Sequence, residues 1–294
     1  LHIYKPLKIH VYIKKELSFM EQPTYLYHYT NIEALALILS NHTIRFNSLD
    51  HMDDLQEQKA ADIKDMGKFC YISSWTDDET ESIPMWNMYS SLEAGVRIKM
   101  PVYPFKEHDT VLKQDQIDNH IIVDPAPDGS SPKTFIPLQD MFDKKYMTPS
   151  PLDKNILYKV EYTSDTNKLY PQILSPKNDG YINMNYGDMG RYKIKYWEFQ
   201  KEWRYKFFLF PINLNQPAQS VALESSNIMN KIILGICTPA FPYYDLEIDA
   251  TAFKQMEITL SPRISPANRI IAETLLEKYN PTAAIKPSVL TGLL

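Results

Sequence analysis

The chain has 294 residues, 44% of them hydrophobic and 23% charged, a globular composition that argues against a disordered chain. Its formal charge of −5 argues against non-specific nucleic-acid binding, which needs a surplus of Lys and Arg to displace counterions. Glycine is scarce at 8 residues while proline reaches 21, and neither GxGxxG nor GxxxxGK(S/T) occurs, so any nucleotide must be held by side chains and strand edges.

Residues 1–19 mix basic and apolar residues without the cleavage site of a signal peptide. They read as an N-terminal extension, and Met20 opens a more ordinary start. Residues 20–294 read as one α+β domain with a surface insertion at about 104–155, where Pro and Asp are frequent. TYLYHYT is a strand, and Thr30-Asn31-Ile32-Glu33 fits a capping box. Ile32, Leu35, Ile38 and Leu39 then give a helix with one apolar face. TIRFNS is a second strand, and the polar stretch of residues 49–66 reads as a helix. KFCYISSW, GVRIKM and ILYKVEYT are further strands, with a short helix or turn at SIPMWNMYSS opened by Pro84. KYWEFQKEWRYKFFLF approaches as a helix and continues as a strand, placing Glu202, Arg204 and Lys206 on one face and Trp203, Tyr205 and Phe207 on the other. NKIILGI reads as a core strand, and SPANRIIAETLLEKYN as a helix ahead of an extended tail. No run approaches the ~20 apolar residues of a membrane span, and the expected location is cytoplasmic. Cys70 and Cys237, in apolar runs, read as buried free thiols.

Four groups of residues carry chemistry. His28, Tyr29 and Thr30 close the first strand, where a side chain can meet a ligand; taken alone, His28 more simply satisfies a backbone carbonyl. Glu198 and Glu202, four residues apart, lie beside Trp197 and Trp203, and carboxylates among aromatics can be aimed at developing positive charge. Glu202 could equally bridge to Arg204. Asp53, Asp54 and Glu57 form an acidic cluster of the kind that binds divalent metals or simply faces solvent. Arg45 and Arg97, in otherwise apolar strands, are candidate phosphate forks. No HExxH, zinc-spaced Cys/His set or GxSxG elbow is present, and no metal is expected in the leading reading.

The ordered set YLYHYTNIEALALILSNHTIRF, MDDLQE, CYISSW, PMWNMYSS with GVRI, YKVEY, WEFQKEWR and KIILG resembles a bacterial family without an assigned activity, domain of unknown function 2971. The resemblance covers roughly residues 25–236, and departs where Asp53 and Leu55 stand in place of the family's Asn and Pro. A weaker resemblance is to the ADP-ribosyltransferase fold. It implies a mixed, largely antiparallel split sheet with a few flanking helices and an NAD cofactor-substrate lying in the cleft. It further implies His28 on the nicotinamide ribose, Glu202 as the catalytic carboxylate with Glu198 as competitor, Arg45 on the pyrophosphate, and Tyr29 or Trp86 stacked on a ring beside Thr30. The function so implied is an NAD-dependent ADP-ribosyltransferase-like enzyme, a bacterial defence effector or toxin whose acceptor is unspecified. Two rivals are a non-catalytic nucleotide- or peptide-binding module using the same cleft, and a metal-dependent nuclease built on Asp53, Asp54 and Glu57.

Overall fold

The computed structural model describes residues 22–110, 132–176 and 182–294; the expected N-terminal extension at 1–19 lies outside them. Strand β1 (Tyr25–Asn31) runs directly into helix α1 (Ile32–Asn41), which buries Ile32, Leu35, Ile38 and Leu39 at the anticipated spacing. The cap differs from the expected box. Asn31 is the N-cap, its side chain accepting from the Ala34 N–H at 2.9 Å, because Thr30 is still in the β1 ladder opposite Val96. His42, at φ 55, turns the chain into β2 (Thr43–Ser48).

The helix expected over residues 49–66 does not form; only a 3-10 turn at Leu49–His51 and successive turns occur there. Its acidic side chains bond backbone instead of sparing it for a helix. Asp54 accepts from the Gln56 N–H at 3.0 Å, and Asp62 holds the N–H groups of Ile173 and Leu174 at 2.9 and 2.7 Å.

Beyond this stretch come β3 (Cys70–Thr76), α2 (Ile83–Tyr89), capped by Ser82 with proline in its first turn, and β4 (Gly95–Pro101). Short strands β5 (His108–Asp109) and β6 (Lys133–Thr134) pair with each other and precede α3 (Leu138–Asp143). The described parts of the expected surface insertion bury Phe105, Phe135, Leu138, Met141, Phe142 and Tyr146 in the main apolar cluster. These residues are core, drawn inward by their apolar area, rather than surface ornament.

The single strand expected at ILYKVEYT is two, β7 (Leu157–Lys159) and β8 (Glu161–Thr163), serving different sheets. Helix α4 (Thr166–Leu169), the antiparallel pair β9 (Leu174–Pro176) and β10 (Ile182–Met184), and β11 (Tyr192–Ile194), parallel to β8, follow. A 3-10 helix at Lys195–Gln200 leads into β12 (Glu202–Phe208). The expected core strand at NKIILGI is largely the end of helix α5 (Ala218–Ile233), whose buried Val221, Ile228 and Ile232 recur at helical spacing. Cys237 lies just past that helix and is half-buried, while Cys70 is buried; both are free thiols. The chain closes with β13 (Tyr243–Glu247), α6 (Ala250–Lys254), β14 (Glu257–Leu260), α7 (Pro266–Tyr279) and β15 (Ala284–Pro287).

These elements make an α+β protein around one mixed, largely antiparallel sheet. Its order is β13-β2-β3-β1-β4-β14-β15, with β12 also on β3 and β7 on β12. Only the β14–β15 pair in this sheet is parallel. β12 follows β3 along its whole length, from Glu202 opposite Thr76 to Phe208 opposite Cys70. Toward its other neighbours β3 is shared: β2 meets it at Tyr71 and Ile72, and β1 only through Tyr27 opposite Thr76. Between those contacts the sheet is split. No described helix is long and apolar enough to cross a membrane.

Candidate functional site in the split of the sheet

The pleat of β12 builds half of the site. Trp203, Tyr205 and Phe207 point into the aromatic core, where Tyr205 sits edge-on to Trp75 and Phe105, and Phe207 packs against Phe46. On the opposite face Glu202 and Arg204 are buried in a four-membered ion network. The Arg204 guanidinium grips Glu202 through Nε to Oε1 at 2.6 Å and Nη2 to Oε2 at 3.0 Å. Arg204 Nη1 pairs with Glu57 and also donates to the Gly190 carbonyl at 3.0 Å. That carbonyl is presented by a left-handed turn, φ 69, which suits glycine. Lys193, from β11, lies 3.0 Å from Glu57 and 3.1 Å from Glu202. All four side chains are buried to at least nine-tenths, so the pairing offsets a desolvation cost of several kcal/mol per ion. Burial pushes the Glu202 carboxyl up, but the charges of Arg204 and Lys193 outweigh it and hold the group down at about 2. Glu202 is ionised at neutral pH.

β1 supplies the other half. His28 Nδ1 donates to the Ser74 carbonyl across the split at 2.8 Å, and its ring lies 5.1 Å from that of Trp75. A carbonyl can only accept, so Nδ1 carries the proton and Nε2 is left with its lone pair. Burial holds the imidazole below its usual value against the opposing pull of that carbonyl, and the ring is neutral at pH 7. One cavity of about 90 Å³ joins the halves. Tyr27, His28 and Tyr29 of β1, Ser74 and Trp75 of β3, and Glu202 and Arg204 of β12 form its body. Met85 and Tyr89 of α2, with Met52, Asp53, Lys193 and Gln200, complete the lining. Gln200 is bonded to the Tyr89 hydroxyl, and burial raises that hydroxyl well above the ordinary tyrosine value.

The split therefore brings His28, Tyr29 and Glu202 together from positions far apart in the chain. The remaining candidates go elsewhere. Arg45 is bound bidentately by Asp245 at 2.9 and 3.0 Å, its guanidinium 3.5 Å from the Tyr243 ring centroid, and it does not line the cavity. Trp86 is fully buried behind Tyr29, 4.9 Å away edge to face, and donates to Glu81 at 2.9 Å. It supports the wall and offers no stacking surface. Thr30 is buried in β1 and does not line the cavity, and Glu198 is exposed on the 3-10 helix outside it. Arg97 is buried beside Tyr27 and Tyr29.

Asp53, Asp54 and Glu57 separate: Asp53 reaches the cavity rim, Asp54 closes a turn, and Glu57 enters the ion network. Among the described residues, no three His, Cys, Asp or Glu side chains converge as a metal site. Sequence reasoning missed Tyr89, Lys193, Gln200, Ser74 and Trp75. Only the bridge from Glu202 to Arg204 had a visible signal, their shared strand face. Comparison of the chain with family models, with curated proteins and with solved structures found no match.

Proposed function

We infer that the chain is an ADP-ribosyltransferase-like enzyme acting on NAD, as the resemblance of its motifs to that fold implies. The observation that carries this reading is that His28 and Glu202 line one cavity at the split between β1 and β3. In it, His28 Nε2 accepts from a ribose hydroxyl, and Glu202 supplies a fixed negative charge. Breaking the bond between ribose and nicotinamide builds positive charge on the sugar, and a carboxylate that is already ionised and held in place favours that charge most in the transition state. Arg204 and Lys193, which also line the cavity, hold Glu202 in place.

The test is nicotinamide release from labelled NAD by the purified full chain, with and without cell lysate as acceptor source. Wild-type release should fall at least about 100-fold in Glu202→Gln and about tenfold or more in His28→Asn. Because Glu202→Gln also disturbs the buried network, thermal unfolding of each variant accompanies the assay. A folded wild type that releases nothing even with lysate removes the enzyme reading.

A second reading has its own support. Both Glu202 oxygens are already engaged, and about 90 Å³ is well below the ~300–1,000 Å³ of most small-molecule sites. On those grounds the cavity serves a binding module that takes one small group. NAD binding by calorimetry without turnover over hours selects it.

A further inference from the structure

The charges around the cavity leave one side chain over. Glu57 and Glu202 are matched by Lys193 and Arg204 within the buried network. Asp53 also lines the cavity, is exposed, and makes no hydrogen bond or ion pair with any described residue. Its charge reaches inward, since it is, after burial, the largest influence raising the Tyr89 hydroxyl. Behind the tyrosine wall stands Arg97, its guanidinium 4.6 Å from the Tyr27 ring centroid. Glu79 and Glu81 lie on that side as well, close enough to act on the Tyr27 and Tyr29 hydroxyls, and Lys99 and Glu257 add opposing charges at Tyr27. The remaining lining is largely aromatic or thioether, Tyr27, Tyr29, Trp75, Tyr89, Met52 and Met85, with Ser74 and Gln200 as neutral polar groups. His28 adds no charge at neutral pH.

Aromatic walls with one uncompensated carboxylate at the mouth are suited to a cation whose charge is spread and weakly hydrated, since ring faces attract it without requiring a full hydration shell. We propose that the cavity is a receptor for a small organic cation, of the pyridinium or alkylammonium class, and that Asp53 is the residue that sets its charge preference. The proposal uses the same cavity as the NAD reading, rests on it for the choice of a pyridinium probe, and names the charge class of the group that enters. The limited volume admits the charged head and leaves the rest of a larger ligand outside.

The experiment is calorimetric titration of the full chain with the 1-methylnicotinamide cation and, separately, with neutral nicotinamide. The cation is expected to bind at least about tenfold more tightly, about 1.4 kcal/mol. Asp53→Asn should abolish that preference while leaving the neutral ring's affinity unchanged. Asp53 is exposed, so the variant folds. Tyr89→Leu should weaken the cation alone. Equal affinities, a preference that survives in Asp53→Asn, or no binding of either compound at millimolar concentration overturns the proposal. Cation preference without nicotinamide release from NAD removes the enzyme reading and keeps this one. Release without cation preference does the reverse.

Discussion

On one face of β12, Trp203, Tyr205 and Phe207 fill space by shape, Tyr205 meeting Trp75 and Phe105 edge-on and Phe207 packing on Phe46 and Tyr71. On the other face, two residues of the same strand fill space with charge, and Glu202 and Arg204 are as deeply buried as the rings. Lys206, next on that face, stays buried by giving its amine to the carbonyls of Gly187 and Met189 at 2.6 and 2.8 Å; burial still brings it down to about 8. The apolar face depends little on its exact partners, because dispersion and hydrophobic transfer are non-directional. The charged face depends on every partner, because removing one leaves a buried ion uncompensated. That difference sets what each face can contribute: the rings hold the sheet together, and the ions place a carboxylate at the split.

The sharpest way to break the comparison is Arg204→Met. It leaves Glu57 and Glu202 buried with only Lys193 between them and should cost about 3–5 kcal/mol of unfolding free energy, read from urea denaturation at pH 7. Acidification tests the same face without mutation. Glu202, at about 2 when folded against 4.5 as a free group, contributes stability that is fully present above about pH 4.5 and is lost as pH falls toward 2. His28, lowered from 6.5, adds an earlier loss beginning below about pH 6.5, and thermal melts across pH 3–7 should show His28→Asn without it.

Tyr205→Phe probes the ring face. It removes the acceptor for the Tyr103 N–H at 3.3 Å and should cost about 1–2 kcal/mol, by an amount that stays constant from pH 4 to 7. Asn31→Ala, which deletes the cap of α1, should cost about 1 kcal/mol in the same denaturation assay. Arg45→Ala, at an exposed ion pair, should cost less than about 1 kcal/mol and leave cation binding and any NAD turnover unchanged. A large effect of Arg45→Ala on either would return it to the site.

The elements that were legible in the sequence are those whose pattern is local. The period-two alternation of β12, the apolar stripe of α1 and the proline start of α2 all stand where their residues imply. Residues 49–66 misled because a polar stretch says nothing about which distant backbone its carboxylates will bond, and Asp62 bonds Ile173 and Leu174. NKIILGI misled because a short apolar run suits a buried strand or a helix end equally. The same limit governs the site. His28 and Glu202 could be singled out as types, but Lys193 gives no sign of being buried until Glu57 and Glu202 are seen on either side of it. Arg45 looked like a ligand fork only because Asp245, two hundred residues later, was not yet opposite it.

The sparse joining of β1 to β3 has a mechanical consequence. β1 is laced to β4 along its whole length, from Tyr25 to Asn31, and β4 in turn carries β14 and β15. These four strands form one leaf, while β3, β12 and β7 form a second, held by their own continuous ladders. Between the leaves the cavity's stitches are the pairing of Tyr27 with Thr76 and the bond from His28 to Ser74. Each such bond nets only about 0.5–1.5 kcal/mol. A ligand that wedges the leaves apart works against these few stitches and the apolar cluster both leaves share, whereas one that had to part β1 from β4 would also unzip an entire ladder.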